Sequence, residues 1–278
     1  MSALPAAAET IDMRQRGWGP MRKQAAVSFT FDNLGEAAEL EFGKWPADQP
    51  VGRHYTVTEV IPALLARLRN VEVTFFIEGW NAETYPAALR LIATAGHEVG
   101  IHGWRHEIWK KQSEETQRAV FGKAVAAMRA IGIDPQGFRP PGGESSPQVD
   151  TLLRNEGMSY VSDVGAAVAL HDGIAHLPFV WRGVDGVFLE PDLGKAAGVT
   201  ESGEGGLVAM HKSHRAALEH AKTTGGHVVF IFHPFLLGKT PGHLDALFDL
   251  VEFACADKDL WVVPCKQAAA WLRGADDR

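Results

Sequence analysis

The stretch Val27-Ser28-Phe29-Thr30-Phe31-Asp32-Asn33 decides how this chain is read. An apolar run of about strand length ends in two short polar residues, so a carboxylate and a carboxamide stand side by side at its tip. In β/α proteins the chemistry sits at the C-terminal ends of buried strands. Other polar strand ends are therefore the natural partners of Asp32.

Working outward, residues 25–31 form the first strand and 34–53 a long connection rich in Gly, Pro and Glu. Val57, Val60, Ile61, Leu64, Leu65 and Leu68 recur at helical spacing, which predicts a helix over 57–69. Strands follow at 71–77, 98–101, 137–139 and 159–162, with helices expected over 85–95, 114–131 and 146–155. Gly96 stops the first of these helices, and Pro147 falls in the first turn of the last. Residues 177–181 are strand-like, and 185–206 are polar and Gly-rich, which predicts a loop. A helix over 208–223, a continuous apolar strand over 227–232, a helix over 244–256, a strand over 260–263 and a helix over 267–273 complete the chain. Sustained alternation of strand and helix calls for a mostly parallel sheet with helices outside. Seven or eight strands fit a closed or nearly closed barrel, with a doubly wound sheet as the alternative. No G-x-G-x-x-G follows the first strand, which argues against a dinucleotide site.

The chain has 278 residues, 46% hydrophobic and 22% charged, with a formal net charge of −7. That length buries a core without disulfides. The negative charge, with no Lys/Arg cluster beyond pairs such as Lys110-Lys111, excludes a nucleic-acid partner. Cys255 and Cys265 read as reduced thiols. The first 20 residues lack a basic segment followed by an apolar one, and no run reaches membrane-spanning length. The expectation is a cytoplasmic protein without a membrane partner, its oligomeric state open.

The strand ends carry the functional signal. The first ends at Asp32-Asn33; another runs into His102, with His106 four residues on; others end at Arg139, Asp163 and His233. In a β/α barrel these positions face one rim. Two imidazoles and an oxygen donor leave an open position on a zinc-like ion. Water there becomes a nucleophile near neutral pH, a carboxylate takes its proton, and a histidine on the far wall protonates a leaving amine.

These residues carry a resemblance to the NodB-type polysaccharide deacetylases, carbohydrate esterase family four, over residues 25 to 265. Thr30-Phe31-Asp32-Asn33 matches the family's T-F-D-D, and His102-Gly103-Trp104-Arg105-His106 its H-[ST]-x-x-H. Arg139-Pro140-Pro141-Gly142-Gly143 matches R-x-P-x-G, and Phe230-Ile231-Phe232-His233 is a looser L-x-x-H. The resemblance implies an α/β fold, a distorted (β/α)7 barrel forming one domain over 25–275 behind an N-terminal arm over 1–24. It implies Asp32 as general base, Arg139 orienting it, and His233 as general acid. It also implies that Asn33, His102 and His106 hold zinc or another divalent metal.

The chain departs from the family pattern at three places. Asn33 replaces the second Asp, which weakens the metal site; Gly103 replaces Ser or Thr; and Asp163-Val164-Gly165 lacks the tryptophan of the fourth motif. Trp181 and Asp185 are the candidates for the substrate wall in its place. The stretch 96–107 is similar to an intracellular branch containing cofactor-independent allantoinases and cyclic imidases. The expected activity is hydrolysis of a linear amide: metal-assisted N-deacetylation of an acylated amino sugar, as a small molecule or oligosaccharide, or of another small amide. The alternatives are ring opening of a cyclic amide or imide, and a catalytically inactive carbohydrate-binding barrel.

Overall fold

The computed structural model describes residues 12–203 and 205–274. Nine strands form one sheet: β1 Ala25–Asp32, β2 Thr74–Ile77, β3 Glu98–Ile101, β4 Gly137–Phe138, β5 Tyr160–Val161, β6 Ala169–His171, β7 Ile174–His176, β8 His227–Phe232 and β9 Leu260–Val262. Their order is β6-β7-β5-β4-β3-β2-β1-β8, with β9 pairing beside the start of β1. Every pairing is parallel except the β6–β7 hairpin.

The sheet curls into a single-domain distorted barrel, as the strand–helix alternation predicts. β6 and β8 stand at the two ends of this order, and the segment after β7 runs on to β8. Phe179 bridges to Val164 and Val184 bridges to Ile231, each as an isolated parallel contact. Phe179–Val164 only continues the β5–β7 register, so the step onto β8 rests on the single Val184–Ile231 bridge, where a full ladder would have made a regular barrel.

β1 shows how the sequence builds this shape. Val27, Phe29 and Phe31 point outward into the main core, beneath helices such as Ile61–Arg67 and Pro86–Thr94. The alternate residues Ser28, Thr30 and Asp32 point inward and are also buried. Each inward polar group is satisfied: Ser28 Oγ donates to the Val263 carbonyl at 2.7 Å, and Thr30 Oγ1 to the Phe230 carbonyl at 2.7 Å. The strand reads as continuously buried because one face meets helices and the other a polar barrel interior.

The barrel floor is a second core. The C-terminal helix Cys265–Leu272 packs there with Trp18, Ala26, Phe76 and Tyr160. Of the arm expected over 1–24, residues 1–11 lie outside the described residues. Residues 12–24 contribute the short helix Met13–Arg16 and the buried Trp18, whose Nε1 donates to the Gly225 carbonyl at 2.8 Å. Above this floor, Tyr160 donates its hydroxyl to the buried Glu98 carboxyl at 2.8 Å, and its ring occupies the space over Gly137.

Several stretches differ from the sequence reading: residues 177–181, expected as a strand, make only the isolated Phe179–Val164 bridge before a 3-10 turn, and the short helices Ala37–Glu41, Trp80–Thr84 and Pro234–Lys239 stand where none is expected. Residues 169–176 form the β6–β7 hairpin, whose three-residue strands are too short to display a period. Its turn signal was the Asp172-Gly173 pair, with φ of 46° and 81°. Residues 185–206, expected as loop, contain the helices Gly186–Leu189 and Pro191–Ala196. The helix expected from 146 begins at Val149, so Pro147 precedes it.

A Cβ at Gly137 would lie 1.9 Å from the Tyr160 ring, whereas one at Gly122, in the helix Glu114–Ala130, meets nothing within 4 Å. Gly137→Ala is expected to destabilise the fold by about 1–3 kcal/mol through overpacking. Gly122→Ala should be neutral or stabilising by up to about 1 kcal/mol. Urea unfolding of both variants checks the contrast, and equal effects would contradict the packing described.

Candidate active site

The C-terminal ends of the strands open into a cavity of about 530 Å³. Asp32, Asn33, His102, His106, Arg139, Trp181 and His233 all line it, with Phe42, Phe179 and Phe235 as further aromatic walls. Seven of the eight candidate site residues thus meet in one place. The eighth, Asp185, lies behind the wall.

Arg139 organises the centre. Directly after β4, it is 1% exposed. One guanidinium nitrogen donates to Asp32 Oδ1 at 2.6 Å and to Thr30 Oγ1 at 2.7 Å, and the other terminal nitrogen donates to Ser162 Oγ at 2.9 Å. Its plane lies over the Phe76 ring at 4.1 Å. Asp32 is consequently held by one oxygen, leaving Oδ2 4.0 Å from His102 Nε2. Burial pushes the Asp32 carboxyl up; Arg139 and His233 oppose this, and the net direction is upward. A carboxylate more basic than usual is a better proton acceptor.

His102 follows β3, and its Nδ1 lies 2.9 Å from the Arg139 carbonyl oxygen. A carbonyl only accepts, so Nδ1 carries the proton and Nε2 presents a lone pair. Burial takes the His102 pKa down to about 3 and likewise that of His106, where His102 adds to the effect. Both rings are therefore neutral donors near neutral pH. Asn33 Oδ1 and His106 Nδ1 are buried without a hydrogen-bond partner. Among the described residues four non-glycine residues adopt positive φ, and Asn33 at 68° and His106 at 78° are two of them. Strain of that kind persists where surrounding structure enforces it. A neutral carboxamide oxygen and two neutral imidazoles, two of whose buried atoms are otherwise unsatisfied, form a donor set that fits a divalent ion.

The Gly103 departure has a local cause. Gly103 has φ of +72°, and a Cβ there would approach Pro141 to 2.9 Å. Its carbonyl accepts from Gly79 N at 3.0 Å, and Glu107 carboxylate oxygens accept from the Trp104 and Arg105 amides. The His102–His106 loop is fixed by backbone contacts and an acidic cap, and needs no hydroxyl at 103.

Across the cavity, Asp185 is fully buried. Its Oδ1 lies 2.6 Å from His233 Nδ1, and its Oδ2 accepts from the His233 amide at 2.8 Å. Burial alone would lower the His233 pKa, but Asp185 outweighs it and, with Asp32, raises it. The expectation that Asp185 touches substrate is corrected by this placement: both its oxygens are engaged by His233, which leaves His233 Nε2 free to face the cavity. Trp181 does stand on the wall, in the segment that closes the barrel.

Asp163 also departs from expectation. It ends β5, yet it is absent from the cavity wall and instead faces His176, with Oδ1 3.9 Å from Nδ1. A buried acid that the strand-end reading does not single out is Glu78, which is also absent from the cavity wall. It follows β2, accepts from the Leu34 amide and Asn81 Nδ2, and is pushed up to about 8 by burial, then by Asp32 and Glu107. An acidic residue directly after an apolar strand was the available signal. A second group of ligating side chains, Asp150, His171 and His176, comes together elsewhere, and none of the three lines this cavity.

Residues 21–161, half of the chain, match the sequence model of the polysaccharide deacetylase family. Chitin deacetylase 1 of Saccharomyces cerevisiae is 36% identical over 100 residues, covering 36% of this chain and 33% of that protein. The peptidoglycan-N-acetylglucosamine deacetylase of Bacillus cereus is 33% identical over 129 residues, covering 45% of this chain and 39% of that protein. The match thus spans between a third and two fifths of these relatives' length. Among solved structures, a putative polysaccharide deacetylase from Mycobacterium smegmatis superposes with a TM-score of 0.77 at 30% identity, covering 99% of this chain and 96% of that one. Puue allantoinase superposes with a TM-score of 0.76 at 18% identity, covering 97% and 96%, which is likeness of fold. Among the described residues no helix is long and apolar enough to cross a membrane. The motifs, the curled parallel sheet and these matches agree: the chain belongs to the polysaccharide deacetylase family.

Proposed function

We propose that this protein hydrolyses the linear amide of an N-acylated amino sugar or a similarly small amide, assisted by a divalent ion, with zinc the first choice. The observation that carries this reading is the pairing of a buried, Arg139-held Asp32 with an Asp185-held His233 on the walls of one cavity. Amide hydrolysis needs a proton removed from water and a proton given to nitrogen, because an amide anion is a poor leaving group. Asp32 accepts the first proton at Oδ2, since Arg139 occupies Oδ1. His233 delivers the second from Nε2, since Asp185 fixes Nδ1. Asn33, His102 and His106 hold the ion, which when bound supplies Lewis acidity to the acyl carbonyl and the attacking water. Phe42, Phe179, Trp181 and Phe235 give the flat apolar surfaces on which a sugar ring stacks.

A second reading, ring opening of a cyclic amide or imide, draws on Asn33. A neutral oxygen in place of a carboxylate holds a dication less firmly, and an imide nitrogen leaves more readily than an amide nitrogen. Acetate release from N-acetylglucosamine and its oligomers, run beside ring opening of hydantoin and succinimide, separates the two readings. Deacetylation that falls on chelation and returns with zinc is the expected outcome. Ring opening alone would favour the second reading.

For the productive substrate, Asp32→Asn should lower kcat by roughly 10²–10⁴-fold with a smaller effect on KM. A wild-type kcat in a folded variant would remove Asp32 from the base role. The pH profile tests the acid. A raised His233 pKa keeps the acid protonated, and activity falls as pH rises through that pKa. Asp185→Asn removes the charge responsible, so the alkaline limb of kcat/KM should move to lower pH. An unmoved limb would mean that His233 is not the acid.

A further inference from the structure

The β6–β7 hairpin places two histidines on one face. Its register pairs His171 with Ile174 and Ala169 with His176. Directly paired residues share a face, as do residues two apart, so His171 and His176 lie on the same side. Their ring centroids are 4.3 Å apart. That face meets the first turn of the helix Val149–Asn155, where Asp150 projects toward both rings. Asp150 Oδ1 is 3.0 Å from His176 Nε2, and its Oδ2 is 3.7 Å from His171 Nδ1.

We propose that Asp150, His171 and His176 form a second divalent-cation site, separate from the cavity, that ties the hairpin to this helix. One donor atom from each residue already lies within 4.8 Å of the others. Tetrahedral zinc with bonds near 2.1 Å sets its donors about 3.4 Å apart, so small side-chain rotations complete the arrangement. Behind His176, Asp163 Oδ1 stands 3.9 Å from Nδ1. Closing to hydrogen-bond distance, that carboxylate would orient His176 through its far nitrogen, as is common for metal-binding histidines. This gives Asp163, a strand-end acid that takes no part in the cavity, a task. The side chains of Asp150 and His176 are 21% and 15% exposed and that of His171 is 37%, so the cluster is half-buried with an opening through which an ion enters. A mixed imidazole–carboxylate set suits zinc, nickel or cobalt over calcium or magnesium. The location is also where a cross-link helps. β6 and β7 are three-residue strands at one end of the sheet order, and β7 pairs with β5 through two residues.

The test uses the full chain, stripped with chelator and titrated with Zn2+, with bound metal counted by elemental analysis and stability followed by thermal melting. His106→Ala disables the cavity donor set, so that the hairpin site is read alone whether or not the cavity binds metal. In that background one equivalent of zinc should bind and raise Tm. Adding His171→Ala, or separately the near-isosteric Asp150→Asn, should weaken that binding at least tenfold and abolish the Tm shift. In the wild-type background His171→Ala should leave amide hydrolysis unchanged. A His106→Ala protein that binds no zinc, or double variants that bind it as before, would overturn the site and leave the three residues as an ion-pair cluster.

Discussion

The ion pair between Arg139 and Asp32 is the interaction on which the rest depends. A buried pair of charges is costly unless its remaining hydrogen-bonding capacity is used. Here Arg139 also bonds Thr30 and Ser162 and stacks on Phe76, so one guanidinium touches groups from β1, from β2 and from the end of β5. Its own carbonyl fixes the tautomer of His102. The side chain that draws the strand ends together is therefore the one that orients Asp32, the proposed base, and, through its backbone, His102, a proposed metal ligand.

The histidines show environment setting chemistry. His102 is buried and His106 half-buried beside other potential cations, and both are pushed toward the neutral form that the proposed ligand role needs. His233 is half-buried, and there the Asp185 carboxylate outweighs burial and favours the protonated form, which suits the proposed proton donor. Asp32 is pulled both ways, with burial ahead of Arg139. These opposite outcomes for one residue type, set around a single cavity, divide the labour that hydrolysis requires.

Much of this was legible in the sequence because strand ends are simple objects. A run such as 27–31 closed by Asp32, or 227–232 closed by His233, reports both where a strand stops and what it presents. That seven of the eight candidate residues share one cavity was legible for the same reason. Features built by tertiary approach were not. Asp185 read as a substrate contact because nothing local reveals that it points at the His233 ring from a separate segment. Gly103 read as a lost hydroxyl, whereas its left-handed backbone and the nearby Pro141 explain it. The β6–β7 strands were too short to show a period, and so the meeting of Asp150, His171 and His176 could not be anticipated.

The central claim is that Arg139 and Asp32 act as a charged unit in the folded protein. A double-mutant cycle on unfolding free energy at neutral pH, with Asp32→Asn, Arg139→Met and the double variant, addresses it most directly. Each single change should cost about 3–5 kcal/mol by stranding its partner in the interior. The double variant should be less destabilised than the sum by about 2 kcal/mol or more. Additivity within about 0.5 kcal/mol would contradict the account.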